Sequence, residues 1–116
     1  MDFREFSQRN RERCESPQGF NHPLSSWSLS DWFMATFGEL GEAANVGKKL
    51  NRVRDGIPGN DESVDQLRAK LRAELADTLI YLDLLAQSEG IDLMEALIET
   101  FDAKSAKLGY PKKLAD

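Results

Sequence analysis

The chain has 116 residues, 41% of them hydrophobic and 30% charged, with a formal charge of −5 and a pI near 4.9. This length makes one ordinary domain, and modest apolar content suits a helical bundle or an oligomer better than a globule with a thick core. The acidic balance argues against a protein that coats nucleic acid or an anionic membrane. Cys14 is the single cysteine, which excludes an intramolecular disulfide and a Cys-rich zinc site and fits a reducing compartment. Met1-Asp2-Phe3-Arg4-Glu5 lacks the apolar core of a signal peptide, and no run approaches a membrane span, so a cytoplasmic protein is expected.

Residues 2 to about 14 read as a short amphipathic helix with Phe3 and Phe6 on one side. Ser16-Pro17-Gln18-Gly19 ends it, and Phe20 to Trp27 reads as an irregular connection. His22, the lone histidine, has no second His or Cys with which to share a zinc ion and is expected to pack in that loop.

The second helix opens at Ser28, an N-cap with Asp31 three residues on, and runs to about Arg54. Leu29, Trp32, Phe33, Thr36, Phe37, Leu40, Ala43, Ala44, Gly47 and Leu50 form its apolar stripe. Asp55-Gly56-Ile57-Pro58-Gly59-Asn60 breaks it. Ser63-Val64-Asp65-Gln66 is a capping box for a third helix reaching Ser88, with Leu67, Leu71, Leu75, Leu79, Leu82 and Leu85 as its stripe. Gly90 marks its stop; Asp92 with Glu95 opens a fourth helix, which Gly109-Tyr110-Pro111 closes. No stretch alternates with period two. The expectation is a single all-α domain over residues 1–116, a helical bundle whose antiparallel central helices (about 28–54 and 63–88) are flanked by shorter terminal helices.

The chemistry lies in two acid pairs, Glu39/Glu42 and Glu74/Asp77, each three residues apart on one helix. On a wheel of about 100° per residue, with Glu39 or Glu74 as zero, each stripe spans about 20° to 140–160° and the second acid lies near −60°. Both pairs therefore border their stripes on the same side. Antiparallel helices packed stripe to stripe bring such borders together. Both pairs also sit roughly 16–22 Å from the connecting loop, so they are level. Val46, Val53, Ile80 and Leu84 lie on the acid side, which implies that this side is covered too.

One E-x-x-E pair is usually a solvated helix face, but two level pairs on matching borders repel unless a cation joins them. Oxygen ligands without His or Cys favour Mg²⁺ or Mn²⁺. Asn45 and Lys49 continue the face of Glu42, Lys48, Arg52 and Arg54 follow, and Lys70 and Tyr81 flank the acids of the third helix. Acids running into Asn, Lys and Arg suit a Mg²⁺–polyphosphate ligand. A di-iron carboxylate bundle would need Glu-x-x-His motifs, which the chain lacks.

Glu39-Leu40-Gly41-Glu42 and Glu74-Leu75-Ala76-Asp77, set in Trp27…Trp32…Gly38-Glu39-Leu40-Gly41-Glu42-Ala43-Ala44-Asn45…Lys48-Lys49-Leu50, resemble the MazG-like nucleotide pyrophosphohydrolases of the all-α NTP pyrophosphatase group. The likeness runs from about residue 27 to 111. It implies Mg²⁺-dependent hydrolysis of nucleoside triphosphates, with dNTPs foremost, to the monophosphate and pyrophosphate in nucleotide-pool housecleaning. It implies metal ligation by Glu39, Glu42, Glu74 and Asp77, with Glu42 doubling as base. It also implies a dimer, or a tetramer built as a dimer of dimers. Trp27, Asn45, Lys49, Arg52, Tyr81 and Asp102 are the expected substrate contacts, Trp27 a better stacking residue than Trp32. Gly38 stands where many members carry a further glutamate, and Asp102 and Lys107 stand where relatives commonly have Asn and Arg. These departures leave a non-catalytic helical nucleotide-binding or interaction module on the same fold as the alternative.

Overall fold

A computed structural model describes residues 1–116 and is all-helical, with no strand. Its α-helices are α1 (Phe3–Glu15), α2 (Leu29–Arg54), α3 (Val64–Ser88) and α4 (Leu93–Leu108), and a 3-10 turn occupies Leu24–Ser26. Each boundary has a local cause. The Asp2 carboxylate accepts the Glu5 amide at 2.9 Å. Ser28 and Asp31 cap one another in a reciprocal box, and Ser63 and Gln66 do the same at 2.9 and 3.1 Å. Asp92 accepts the Glu95 amide at 3.0 Å, and Gly109 ends α4 in the left-handed region that a Cβ would disfavour. No helix is long and apolar enough to cross a membrane.

The chain divides into two units. The first comprises Met1–Ser26 and Ala86–Asp116. Within it the Gln87 side-chain amide donates to the Ser7 carbonyl at 2.9 Å, and Arg4 pairs with Asp92 at 3.5 Å. The segment after α1 is more ordered than an irregular connection. The Glu15 carboxylate accepts the Leu24 amide, while Cys14 and His22 are joined through the His22 amide and carbonyl. Gly19 is required there, because a Cβ would fall 1.9 Å from the Arg13 carbonyl oxygen.

The second unit, Trp27–Leu85, holds α2 and most of α3. Trp32, Ala43 and Val46 of α2 and Leu67, Leu84 and Leu85 of α3 are buried. On the wheel used above, most of these fall within about 40° of Glu39 or Glu74. The helices thus bury an arc centred on the acids. Only one edge of each expected stripe is buried, through Trp32, Ala43, Leu67 and Leu85: Leu29, Phe33, Phe37 and Leu40 of α2 and Leu75, Leu79 and Leu82 of α3 stay exposed, Phe37 by 65%. Coverage of the acid side is borne out for Val46 and Leu84.

Candidate metal centre

Helical spacing sets Glu39 and Glu42 one turn apart on α2, and Glu74 and Asp77 one turn apart on α3. Oxygens of Glu39, Glu74 and Asp77 lie within 4.8 Å of one another. Glu39 and Glu74 are half-buried, while Asp77 and Glu42 are exposed. Glu42 is in side-chain contact with Glu74 and with Glu39. All four acids are therefore neighbours.

Their electrostatics register the crowding. Contact with Glu42, then partial burial, then the charges of Glu42 and Glu39 push the Glu74 carboxyl up to about 7. Burial and the charges of Glu42 and Asp77 raise that of Glu39. One atom carries a second signal. Oε2 of Glu74 is buried without a hydrogen-bond partner, although buried acceptors are normally satisfied. Crowded oxygen donors, one of them orphaned, fit a hard divalent cation, and the three carboxylates can hold a metal ion.

The expected substrate residues are placed as follows. Trp27 packs edge-on against Trp32, with ring centroids 4.7 Å apart. Trp32 is fully buried, which is the core role its stripe position implied, and Trp27 keeps an exposed edge. Asn45 is exposed and Tyr81 half-buried. Arg52 donates through Nη2 to the Pro58 carbonyl at 3.1 Å. Lys49 donates through Nζ to Glu62 at 3.1 Å. Asp102 belongs to the other unit, where its carboxylate accepts the amides of Leu114 at 2.7 Å and Ala115 at 3.0 Å.

Sequence reasoning passed over Glu62, which pairs with Lys70 as well as Lys49. Its one signal was position, an acid immediately before the Ser63 cap. A contact between a loop residue and two helices leaves no periodic trace.

No family model and no solved structure matches the chain. Among characterised proteins it is similar to human dCTP pyrophosphatase 1, with 37% identity over 82 residues. The match covers 71% of this chain and 45% of the relative, so the chain spans about half the length of that protein. On this likeness and the all-helical fold, the chain is a distant homologue within the MazG-like all-α nucleotide pyrophosphohydrolases.

Proposed function

We propose that this chain is a single MazG-like domain that hydrolyses nucleoside triphosphates, deoxynucleotides foremost, to the monophosphate and pyrophosphate with Mg²⁺, for which Mn²⁺ can substitute. The observation that carries the reading is the meeting of Glu39, Glu74 and Asp77, with Oε2 of Glu74 buried and without a hydrogen-bond partner. Human dCTP pyrophosphatase 1 acts, by its name, on a deoxynucleoside triphosphate, which supports the substrate class.

Glu39, Glu74 and Asp77, with Glu42 beside them, would hold the cation. When bound, Mg²⁺ supplies charge neutralisation for the polyphosphate and lowers the pKa of a coordinated water. The remaining work falls to the chain. Glu42 is exposed to solvent beside Glu74, so it accepts the proton of the water that attacks the α-phosphorus. The bond between that phosphorus and the α–β bridging oxygen breaks, and pyrophosphate leaves. Lys49 and Asn45, further along α2, meet the outer phosphates, and the open edge of Trp27 stacks on the base. Tyr81, one turn past Asp77, borders the sugar.

We infer that α2 and α3 run antiparallel. Glu39 meets Glu74, while Lys49, farther along α2, meets the same Glu62 as Lys70, which precedes Glu74 on α3. The exposed stripe is the surface a second copy would cover, giving a dimer or a dimer of dimers in the cytoplasm.

A nucleotide panel with Mg²⁺, read by pyrophosphate release, tests the reaction. Turnover is expected for at least one nucleotide, and Glu42→Gln and Asp77→Asn are expected to abolish it with helicity intact. Absence of turnover across canonical and modified nucleotides overturns the reading. Metal-dependent nucleotide affinity without product would then identify a binding module.

A further inference from the structure

Glu62 has no part in the reaction above, yet its carboxylate holds two cations from different helices. Lys49 of α2 donates to Oε1 at 3.1 Å, and Lys70 of α3 pairs with Oε2. The residue is itself pinned. Its amide donates to Oδ1 of Asn60 at 3.2 Å, and its carbonyl accepts from Nδ2 of Asn60 at 3.3 Å. The next residue, Ser63, is locked into the capping box of α3. The carboxylate therefore stands at a fixed point at the start of that helix, only 23% exposed.

The lysines are placed to serve the acids. Lys49 follows Glu42 by about two turns and Lys70 precedes Glu74 by about one. Both fall on the acid-bearing faces and are displaced toward the loop. Two ammonium groups around one carboxylate carry a net charge of +1. Each ammonium has three N–H donors and uses one on Glu62, which leaves two per lysine. Without the intervening carboxylate the two ammoniums would repel and swing apart on flexible stems.

A purely structural clamp is the competing account. The lysines are 44% and 58% exposed, and pairs in that setting contribute little stability. The two accounts differ in what they predict for phosphate.

We propose that Glu62 is a positioning residue that holds Lys49 and Lys70 side by side as a two-ammonium grip for the outer phosphates of a nucleotide seated on the acid cluster. The proposal rests on the nucleotide-hydrolysing reading and extends it to a residue outside the acid motifs.

The test is calorimetry of the full chain with Mg²⁺ and inorganic tripolyphosphate, beside steady-state kinetics on the best nucleotide of the panel. Glu62→Gln is expected to weaken tripolyphosphate about tenfold and raise KM by a similar factor, with kcat falling less than about threefold. Glu62→Asp keeps the charge and is expected to recover part of both losses. Added to Lys49→Ala/Lys70→Ala, Glu62→Gln is expected to cost nothing further. Unchanged tripolyphosphate affinity and KM in Glu62→Gln, even with a lowered melting temperature, would show a structural clamp and overturn the proposal. Tighter binding would overturn it as well, since Glu62 would then be competing with phosphate. The two readings fail separately. Glu62-dependent tripolyphosphate binding without turnover keeps the grip and removes the reaction. Turnover with a KM indifferent to Glu62 does the reverse.

Discussion

Glu39 and Glu74 bring carboxylate oxygens within 4.8 Å of one another, from helices separated by the Asp55–Ser63 break. Both carboxyls lie above their ordinary values, Glu39 through burial and the charges of Glu42 and Asp77, and Glu74 through contact with Glu42, burial and the charges of Glu42 and Glu39. The arrangement is unfavourable by itself and favourable around a cation.

Replacing one carboxylate separates these two states. Glu74→Gln removes the group under the strongest repulsion, so the metal-free protein is expected to melt at a higher temperature than wild type. Mg²⁺ is expected to raise the melting temperature of the wild type by binding the native state, and the same change is expected to erase that rise. Hydrolysis should fall by about a hundredfold or more, as for the loss of a metal ligand. Scanning calorimetry with and without Mg²⁺ reads the first two effects. A Glu74→Gln protein that Mg²⁺ still stabilises would place the ion elsewhere.

Gly38 sits in the interior of α2, and a Cβ built there meets nothing within 4 Å. A glycine inside a helix costs about 0.5–1 kcal/mol relative to alanine through backbone entropy. Gly38→Ala is therefore expected to stabilise the chain by about that amount, read as a higher urea midpoint at unchanged slope. A lower midpoint would mean that a second copy packs closely on this position.

Asp102 is held below its ordinary value of 3.8 by the amides of Leu114 and Ala115. Its native carboxyl gives up the proton more readily than the unfolded one. The stability it contributes is thus present above pH 3.8 and lost as the pH falls through the lower native value. Amide exchange at Leu114 and Ala115, followed by NMR, is expected to quicken over that acid window while α4 stays protected. Asp102→Asn should show the quick exchange already at neutral pH. Equal exchange in the variant and the wild type would leave the C-terminal segment held by something else.

The helices and their ends were legible because caps are local. Ser28 with Asp31, Ser63 with Gln66, Asp92 with Glu95, and Gly109 each act within a few residues of themselves. The meeting of the acids was legible too, since helical pitch converts sequence number into angle and height. Which arc of each apolar stripe the chain buries was not. Trp32 and Ala43, near one edge of the α2 stripe, are buried, while Leu40, Phe33 and Phe37 toward the other edge are exposed. Periodicity records every apolar position on a helix without saying what covers it. Glu62 was illegible for a different reason: it joins two helices through side-chain reach alone, and spacing within one element cannot reveal that.

The uncovered half of the stripe makes the last prediction. Phe33 and Phe37 stack on each other with ring centroids 6.3 Å apart, and both are exposed beside Met34 and Leu40. Burying one such side chain is worth about 1.5–3 kcal/mol, so a contiguous row of them favours self-association strongly. Light scattering is expected to give the wild type a mass that is a multiple of 13.1 kDa. Phe37→Arg places a charge in the centre of that row and is expected to shift the mass toward the single-chain value, with helicity by circular dichroism retained. Because Glu39 shares α2 with Phe37, the same variant also reports whether the metal centre needs the second copy: Mg²⁺-induced stabilisation that survives in the 13.1 kDa species would show that one chain suffices. A wild type that remains a monomer at every concentration, or a Phe37→Arg variant of unchanged mass, would show that this face has another occupant.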